Sequence, residues 1–348
     1  MPSNLTRSSA APILGSYSES LVQLIGAQDF SDCATTVVGY GNMGRQYVQA
    51  LRELGVRNIH VVSRSSGPLE ELETLDKVTT QSGGYDQINH GSQLGKTAIV
   101  CTPTEQLADV ARHLADCGVG DILVEKPVSL RSEEIRLLCH DVASRNANAF
   151  CAYNRMSYPT VLEAKSLCDA EGGVTSCTYT FTEFVDRVES GNFTEEELAR
   201  WGIANSLHVM SLAHSVIGMP KSWTSQRSGG LSWHPAGSVF VGSGISELDV
   251  PFSYHADWGS TGRWSVEFHT AKSSYRLCPL EQLTRRDEPT GDWEPVPVAS
   301  YAPGVKYGIL EQVSALLNDE IRALAPLASL EQAAALTEYG EQIFGYQN

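Results

Sequence analysis

Val37-Val38-Gly39-Tyr40-Gly41-Asn42-Met43-Gly44 joins an apolar run to an amphipathic one, and that placement decides how the first part of the chain is read. Before it, Thr35 to Gly39 reads as a strand; after it, Met43 to Leu54 carries apolar residues at three- and four-residue spacing, as a helix requires. Between strand and helix the three glycines have separate tasks. Gly39 permits the tight turn, Gly41 lets the backbone approach a pyrophosphate, and Gly44 lets helix and strand pack closely. Phosphates sit well on the free amides of a helix N-terminus, so Gly39, Gly41, Asn42, Met43 and Gly44 form a candidate dinucleotide site. Glycines also mark ordinary turns, and the pattern gains its meaning from its surroundings.

Outward from this turn, Asn58 to Ser63, Thr97 to Cys101, Asp121 to Glu125 and Ala149 to Ala152 read as strands, while Thr104 to Cys117 and Ser132 to Ala143 show helical spacing. Such alternation predicts an α/β class with a doubly wound parallel sheet covered by helices on both faces. A Rossmann domain over residues 33–152 follows. Residues 1–32, rich in Ser and Ala with a short apolar stretch from Leu21 to Ile25, read as an N-terminal extension. Past Ser157 the texture changes: a helix to about Ala170, a strand-like stretch from Val174 to Phe184, an acidic loop from Glu189 to Glu197, and a helix from Ile203 to Ile217. Then come strand-like stretches at Ser238 to Gly244, Leu248 to Trp258 and Arg263 to Leu277, and helices at Gly308 to Leu324 and Leu330 to Phe344. In the second of those stretches Val250, Phe252, Tyr254, Ala256 and Trp258 alternate with Ser253, His255 and Asp257, as a two-faced sheet demands. Residues 153–348 are therefore expected to form an α+β domain on an open antiparallel sheet, with the last helices packing back.

A chain of 348 residues is long for one core, which favours two domains. Its net charge of −16 repels phosphate backbones and anionic lipid, so neither nucleic acid nor a membrane is an expected partner. Eight cysteines scatter without a CxxC pair, and no His and Cys cluster has zinc spacing, so reduced thiols and no metal are expected. With no apolar run long enough for a span and no leader-like start, the expectation is a cytoplasmic protein.

The second strand ends Val61-Val62-Ser63-Arg64-Ser65, where an NAD-binding unit usually places an acid about twenty residues after the glycines. A hydroxyl and a guanidinium suit a 2'-phosphate instead, so Ser63 and Arg64 favour NADP(H), with NAD(H) as the alternate cofactor and a merely solvated Arg64 as the plainer reading. The fourth strand ends Val124-Glu125-Lys126-Pro127, which sets Lys126 at the carboxyl edge of the sheet, beside the crevice where ligands lie.

The glycine turn, Cys101-Thr102-Pro103, Glu125-Lys126-Pro127, Tyr153-Asn154-Arg155 and the helix bearing His208 together resemble the glucose-fructose oxidoreductase and inositol dehydrogenase (Gfo/Idh/MocA) family, over about residues 33–345. The resemblance implies a nicotinamide between the two domains, contacts to it from Thr102, Pro103, Glu125 and Lys126, and Lys126 as the catalytic group beside a reacting hydroxyl or carbonyl. Hydride transfer requires the oxygen to gain or lose a proton, which a lysine lowered by burial or a neighbouring cation can handle. His208 is the second catalytic candidate. Family members carry an Asp four residues before this histidine and another three after it; here Ala204 and Ser211 stand in those places, which leaves open a base, a substrate hydrogen-bond donor and a satisfied core histidine. Asn205 offers a substitute polar contact, and Asn154 and Arg155 either reach the substrate or, for Arg155, brace the domain junction. Trp233-His234-Pro235 and Tyr254-His255 suit an interface or core better than a sugar ring. By this resemblance the chain is an NADP(H)-dependent oxidoreductase of a sugar or polyol, free or linked to a phosphate or nucleotide, assembled as a homo-dimer or homo-tetramer through the open sheet. Alternatives are an imine or tetrapyrrole-type reductase of the same fold, or a non-catalytic dinucleotide sensor.

Overall fold

The computed structural model describes residues 16–89, 94–188, 190–302 and 304–346. The chain begins there with α1 (Tyr17–Ala27), whose start is fixed by a capping box between Ser16 and Glu19. It then alternates through β1 (Ala34–Val38), α2 (Asn42–Glu53), β2 (Asn58–Val62), β3 (Val78–Gln81), β4 (Thr97–Val100), α3 (Leu107–Asp116), β5 (Asp121–Glu125), α4 (Ser132–Ser144) and β6 (Asn148–Ala152). The central strands β1, β4 and β5 are buried along nearly their whole length, the mark of a parallel sheet covered on both faces. The strand order is β6-β5-β4-β1-β2-β3, all parallel, so the order reverses between β1 and β4 and opens a crevice at their carboxyl ends. Strand β3, Val-Thr-Thr-Gln at the sheet edge, is missing from the sequence reading because a polar, half-exposed strand leaves no apolar run.

Beyond β6 come α5 (Pro159–Ala170), β7 (Ser176–Thr180), α6 (Glu195–Ala199), a π-helical turn (Gly202–Ser206), α7 (Leu207–Ile217), β8 (Pro220–Ser228), β9 (Val239–Ser246), β10 (Pro251–Asp257), β11 (Ser265–His269), β12 (Ser274–Leu277), β13 (Leu283–Arg286), β14 (Glu294–Pro295), α8 (Ile309–Leu317), α9 (Asp319–Leu324), β15 (Ala328–Ser329) and α10 (Leu330–Phe344). The second sheet runs β14-β13-β12-β11-β7-β10-β9-β8 and is mostly antiparallel. One pair departs from the expected pattern: β7 and β10 are parallel, because the chain leaves β7, passes through α6, α7 and the β8–β9 hairpin, and returns beside it in the same direction. In β10, Phe252, Tyr254 and Ala256 are buried while Pro251, Ser253 and His255 are exposed, so one face of the sheet meets the helices and the other is open, as the alternation predicts.

Several expected boundaries need correction. Residues 1–15 of the expected extension lie outside the described residues, but the rest is not an appendage. Helix α1 buries Leu21 and Ile25, its Ser18 amide donates to the Glu163 carboxylate at 2.8 Å, and Tyr17 Oη donates to the Leu324 carbonyl at 2.7 Å. Arg263 to Leu277 is two strands, since Thr270 Oγ1 accepts from the Lys272 and Ser273 amides and turns the chain. Gly308 to Leu324 is two helices because Asn318 is extended and caps the second through the Ile321 amide. The acidic loop holds the short helix α6, nucleated by the Thr194 and Glu197 capping box; Glu189 is outside the described residues. Finally, β15 pairs antiparallel with β6, so the chain's last part completes the first sheet.

Candidate functional site

A cleft of about 830 Å3 opens at the carboxyl ends of the first sheet's strands, closed on the other side by Phe193, Trp201 and the π-helical turn. Every residue selected from the sequence lines it except Gly44. Gly44 lies beneath: a Cβ there would stand 2.2 Å from the Gly39 carbonyl oxygen, so its task is the close packing of α2 on β1. Gly39 has φ +96°, and a Cβ on it would meet the Cys101 carbonyl oxygen at 2.5 Å. Gly41 differs, because a Cβ on it would meet nothing within 4 Å and would point into open space. As the N-cap of α2 it supplies no side-chain bond to the first amides, which remain available to an anion. These features fit a dinucleotide pyrophosphate.

At the end of β2, Ser63, Arg64 and Ser65 line the same cleft, and no carboxylate occupies the strand end. The Gly84 amide donates to the Ser63 carbonyl at 3.0 Å and the Gly83 amide to the Arg64 carbonyl at 3.3 Å, which fixes this turn. Thr102, after β4, carries a buried Oγ1 without a hydrogen-bond partner, a polar atom left over in the cleft wall.

At the other end of the cleft, Lys126 extends from β5 and its Nζ donates to the Ala204 carbonyl at 2.7 Å. The accepting carbonyl belongs to the π-helical turn, an irregularity of the kind that re-aims groups at ligand sites. Burial pulls Lys126 below the ordinary lysine value; Glu125 opposes this, and Arg155 and Lys306 add to it. The sequence reading asked for burial or a neighbouring cation, and both act here. The Glu125 carboxylate is engaged: Oε1 accepts from the fully buried Tyr47 hydroxyl of α2 at 2.7 Å, and burial raises its carboxyl above the ordinary range.

His208 lies in the first turn of α7, is 6% exposed, and has an Nδ1 with no partner. Burial, then the charges of Arg155, Lys126 and Lys306, push it well below 6.5, so the imidazole is neutral near pH 7. Where carboxylates were expected around it, Ala204 presents its carbonyl to Lys126, and Ser211 Oγ donates to the His208 carbonyl at 3.1 Å. Asn205 does not turn to His208. Its Nδ2 donates to Glu183 at 2.8 Å, alongside Ser206 Oγ at 2.6 Å. Glu183 is buried beneath the π-helical turn and pushed up to about 7, mainly by burial. Asn154 is buried and spends its side-chain nitrogen on the Tyr307 carbonyl at 3.2 Å, holding the segment that leads into α8. Arg155 lies with its guanidinium 4.8 Å above the Trp264 ring and its Nε buried without a partner.

Three residues of this region escape a sequence reading: Glu183, Trp264 and Lys306. A signal for Glu183 exists, since Cys177, Tyr179, Phe181 and Glu183 share one parity of a strand-like run, which carries an acid onto the buried face. Lys306, whose Nζ lies 3.2 Å from Met43 Sδ, comes from a segment remote in the chain and leaves no such trace. The aromatic stretch of the second domain is core: His234 Nδ1 lies 2.7 Å from the Gly237 carbonyl, and Trp233 stacks on Trp258 at 6.3 Å. Among the described residues no group of three His, Cys, Asp or Glu is placed to hold a metal, and no helix is long and apolar enough to cross a membrane.

Residues 34–153 match the family model described as "Oxidoreductase family, NAD-binding Rossmann fold" (GFO_IDH_MocA). No curated protein matches the chain. Among solved structures, levoglucosan dehydrogenase in complex with NADH is similar at TM-score 0.72 and 16% identity, covering 89% of this chain and 95% of that one. An oxidoreductase from Agrobacterium radiobacter in complex with NAD+, L-tartaric acid and magnesium is similar at TM-score 0.71 and 12% identity, covering 90% and 96%. The UDP-N-acetylglucosamine 3-dehydrogenase of Acidithiobacillus ferrooxidans is similar at TM-score 0.67 and 15% identity, covering 89% and 96%. Residues 34–153, which carry the glycine turn and Lys126, thus match the NAD-binding Rossmann domain of the Gfo/Idh/MocA oxidoreductases.

Proposed function

We propose that this protein is an NADP(H)-dependent oxidoreductase that interconverts a hydroxyl and a carbonyl on a sugar or polyol. The observation that carries the reading is the position of Lys126, in the same cleft as the open turn at Gly41 and lowered by burial and two neighbouring cations. A nicotinamide bound with its pyrophosphate at that turn supplies the hydride acceptor or donor. Lys126 then holds the reacting oxygen, taking its proton during oxidation and returning it during reduction, while the ammonium stabilises developing negative charge. His208, neutral, serves as a hydrogen-bonding group toward the substrate rather than as the base. Glu183 positions the π-helical turn through Asn205 and Ser206, and thereby the carbonyl that orients Lys126.

Support for a hydroxylated substrate comes from the similar structures, whose names give levoglucosan and UDP-N-acetylglucosamine. Ser63, Arg64 and the absence of an acid at the end of β2 support NADP(H) over NAD(H). Exposed Val241 and Ile245 on the open sheet face support a homo-oligomer formed there, and eight unpaired cysteines suit a reducing, cytoplasmic setting. Residues 33–152 and 153–348 act in this reading as nucleotide and substrate domains. Lys126→Met tests the assignment on a panel of sugars, polyols and their acids. Turnover should fall about 10²- to 10⁴-fold, with NADPH binding kept; turnover within tenfold of the parent would overturn it.

A further inference from the structure

In a chain of net charge −16, three cations, Lys126, Arg155 and Lys306, converge on the end of the cleft nearest the second sheet. Two carboxylates line the same cleft among the described residues, and both are engaged: Glu125 by Tyr47, Glu197 by Thr104 and Thr194. Arg155, Lys126 and Lys306 take part in none of the ion pairs among the described residues. Glu281, Glu183 and Glu125 act on Arg155 only at longer range, and Glu125 likewise on Lys126 and Lys306. A mostly buried guanidinium without a hydrogen-bonded anion is costly, and such groups ordinarily have a partner. Arg155 also has its geometry prepared. The guanidinium carbon lies 4.8 Å from the centre of the Trp264 ring and Nε is buried without a partner, which leaves the terminal N–H groups for an oxyanion. The neutral imidazole of His208, its ring 6.2 Å from Trp264, borders the same space.

We propose that the substrate is an acid, a polyhydroxy compound whose carboxylate or phosphate is gripped by Arg155 with Lys306 beside it, while the hydroxyl to be oxidised lies at Lys126. Lys126 and Arg155 follow the ends of neighbouring strands, with Glu125 paired to Ala152, and such strands lie about 4.8 Å apart. The oxyanion and the reacting carbon are accordingly a few bonds from each other. This inference rests on the oxidoreductase reading of the same cleft.

The test uses the whole protein saturated with NADPH, so that the cofactor's own phosphates already occupy their sites, titrated by calorimetry with malonate, inorganic phosphate and neutral D-glucitol. Malonate or phosphate should bind saturably, and whichever is tighter identifies the oxyanion. Arg155→Gln should weaken that binding about tenfold to a hundredfold, Arg155→Lys by less, and Lys306→Gln severalfold, with glucitol unaffected. Lys306→Gln, in an exposed segment, remains informative if the Arg155 variants fold poorly. Oxyanion binding equal in the parent and the variants, or no saturable binding of either anion once NADPH is bound, overturns the proposal and assigns these cations to the cofactor. Neutral sugars oxidised with higher kcat/KM than sugar acids and sugar phosphates also overturn it, leaving the catalytic reading intact. Oxyanion binding through Arg155 combined with full turnover by Lys126→Met does the reverse.

Discussion

Tyr47→Phe removes one oxygen from a residue with no exposed surface, and its effect can be worked out from the contacts of that atom. The hydroxyl donates to Glu125 Oε1 at 2.7 Å and lies 3.2 Å from the Gln312 side-chain amide; Glu125 Oε2 receives only the Lys126 amide, at 3.2 Å. Glu125 is buried, and its carboxyl is already raised above its ordinary value by burial, with the Tyr47 bond among the influences that hold it down. A hydrogen bond to an ionised group contributes roughly 1.5–3 kcal/mol, and loss of this one leaves a buried carboxylate half satisfied, so a destabilisation of about 2 kcal/mol is expected. The denaturant midpoint should fall, at unchanged slope. In a Glu125→Gln background the same substitution should cost only about 1 kcal/mol, because a neutral bond is weaker, and the difference isolates the charge-assisted part. A loss below about 0.5 kcal/mol, or equal losses in the two backgrounds, would refute the reasoning that Tyr47 holds the carboxylate next to Lys126.

Two further outcomes follow from the same contacts. Arg64→Ala should weaken NADPH binding about tenfold to a hundredfold while leaving NADH binding unchanged, as read by nucleotide fluorescence; equal effects on both cofactors would remove the 2'-phosphate role. Glu311 of α8 is pushed up from 4.5 to about 7 by burial, so the folded state holds its proton more tightly than the unfolded one. Its contribution to stability is therefore complete below the unfolded value and is lost as pH rises toward about 7, by up to about 3 kcal/mol. Glu311→Gln should flatten the fall in denaturation free energy over that window, and an unchanged slope would count against the burial account.

The glycine turn, the buried β1, β4 and β5, and Lys126 at a strand end were legible in the sequence because each is a local pattern. A covered parallel strand is a short apolar run, and the turn between strand and helix needs glycine at Gly39, where φ is positive and a Cβ would strike Cys101. The single-helix reading of Gly308 to Leu324 failed for the opposite reason: apolar spacing continues across Asn318, and only its extended backbone and side-chain cap divide the run.

By itself, then, the sequence determined the nucleotide fold, its turn and the lysine, since those depend on residues within a few positions of one another. What tertiary structure alone decided is the electrostatics of the site. Lys306 and Glu183 reach Lys126 from distant segments, and burial sets which of the groups carries a charge. Charge in a pocket depends on distance and on exclusion of water, and neither is written in chain order.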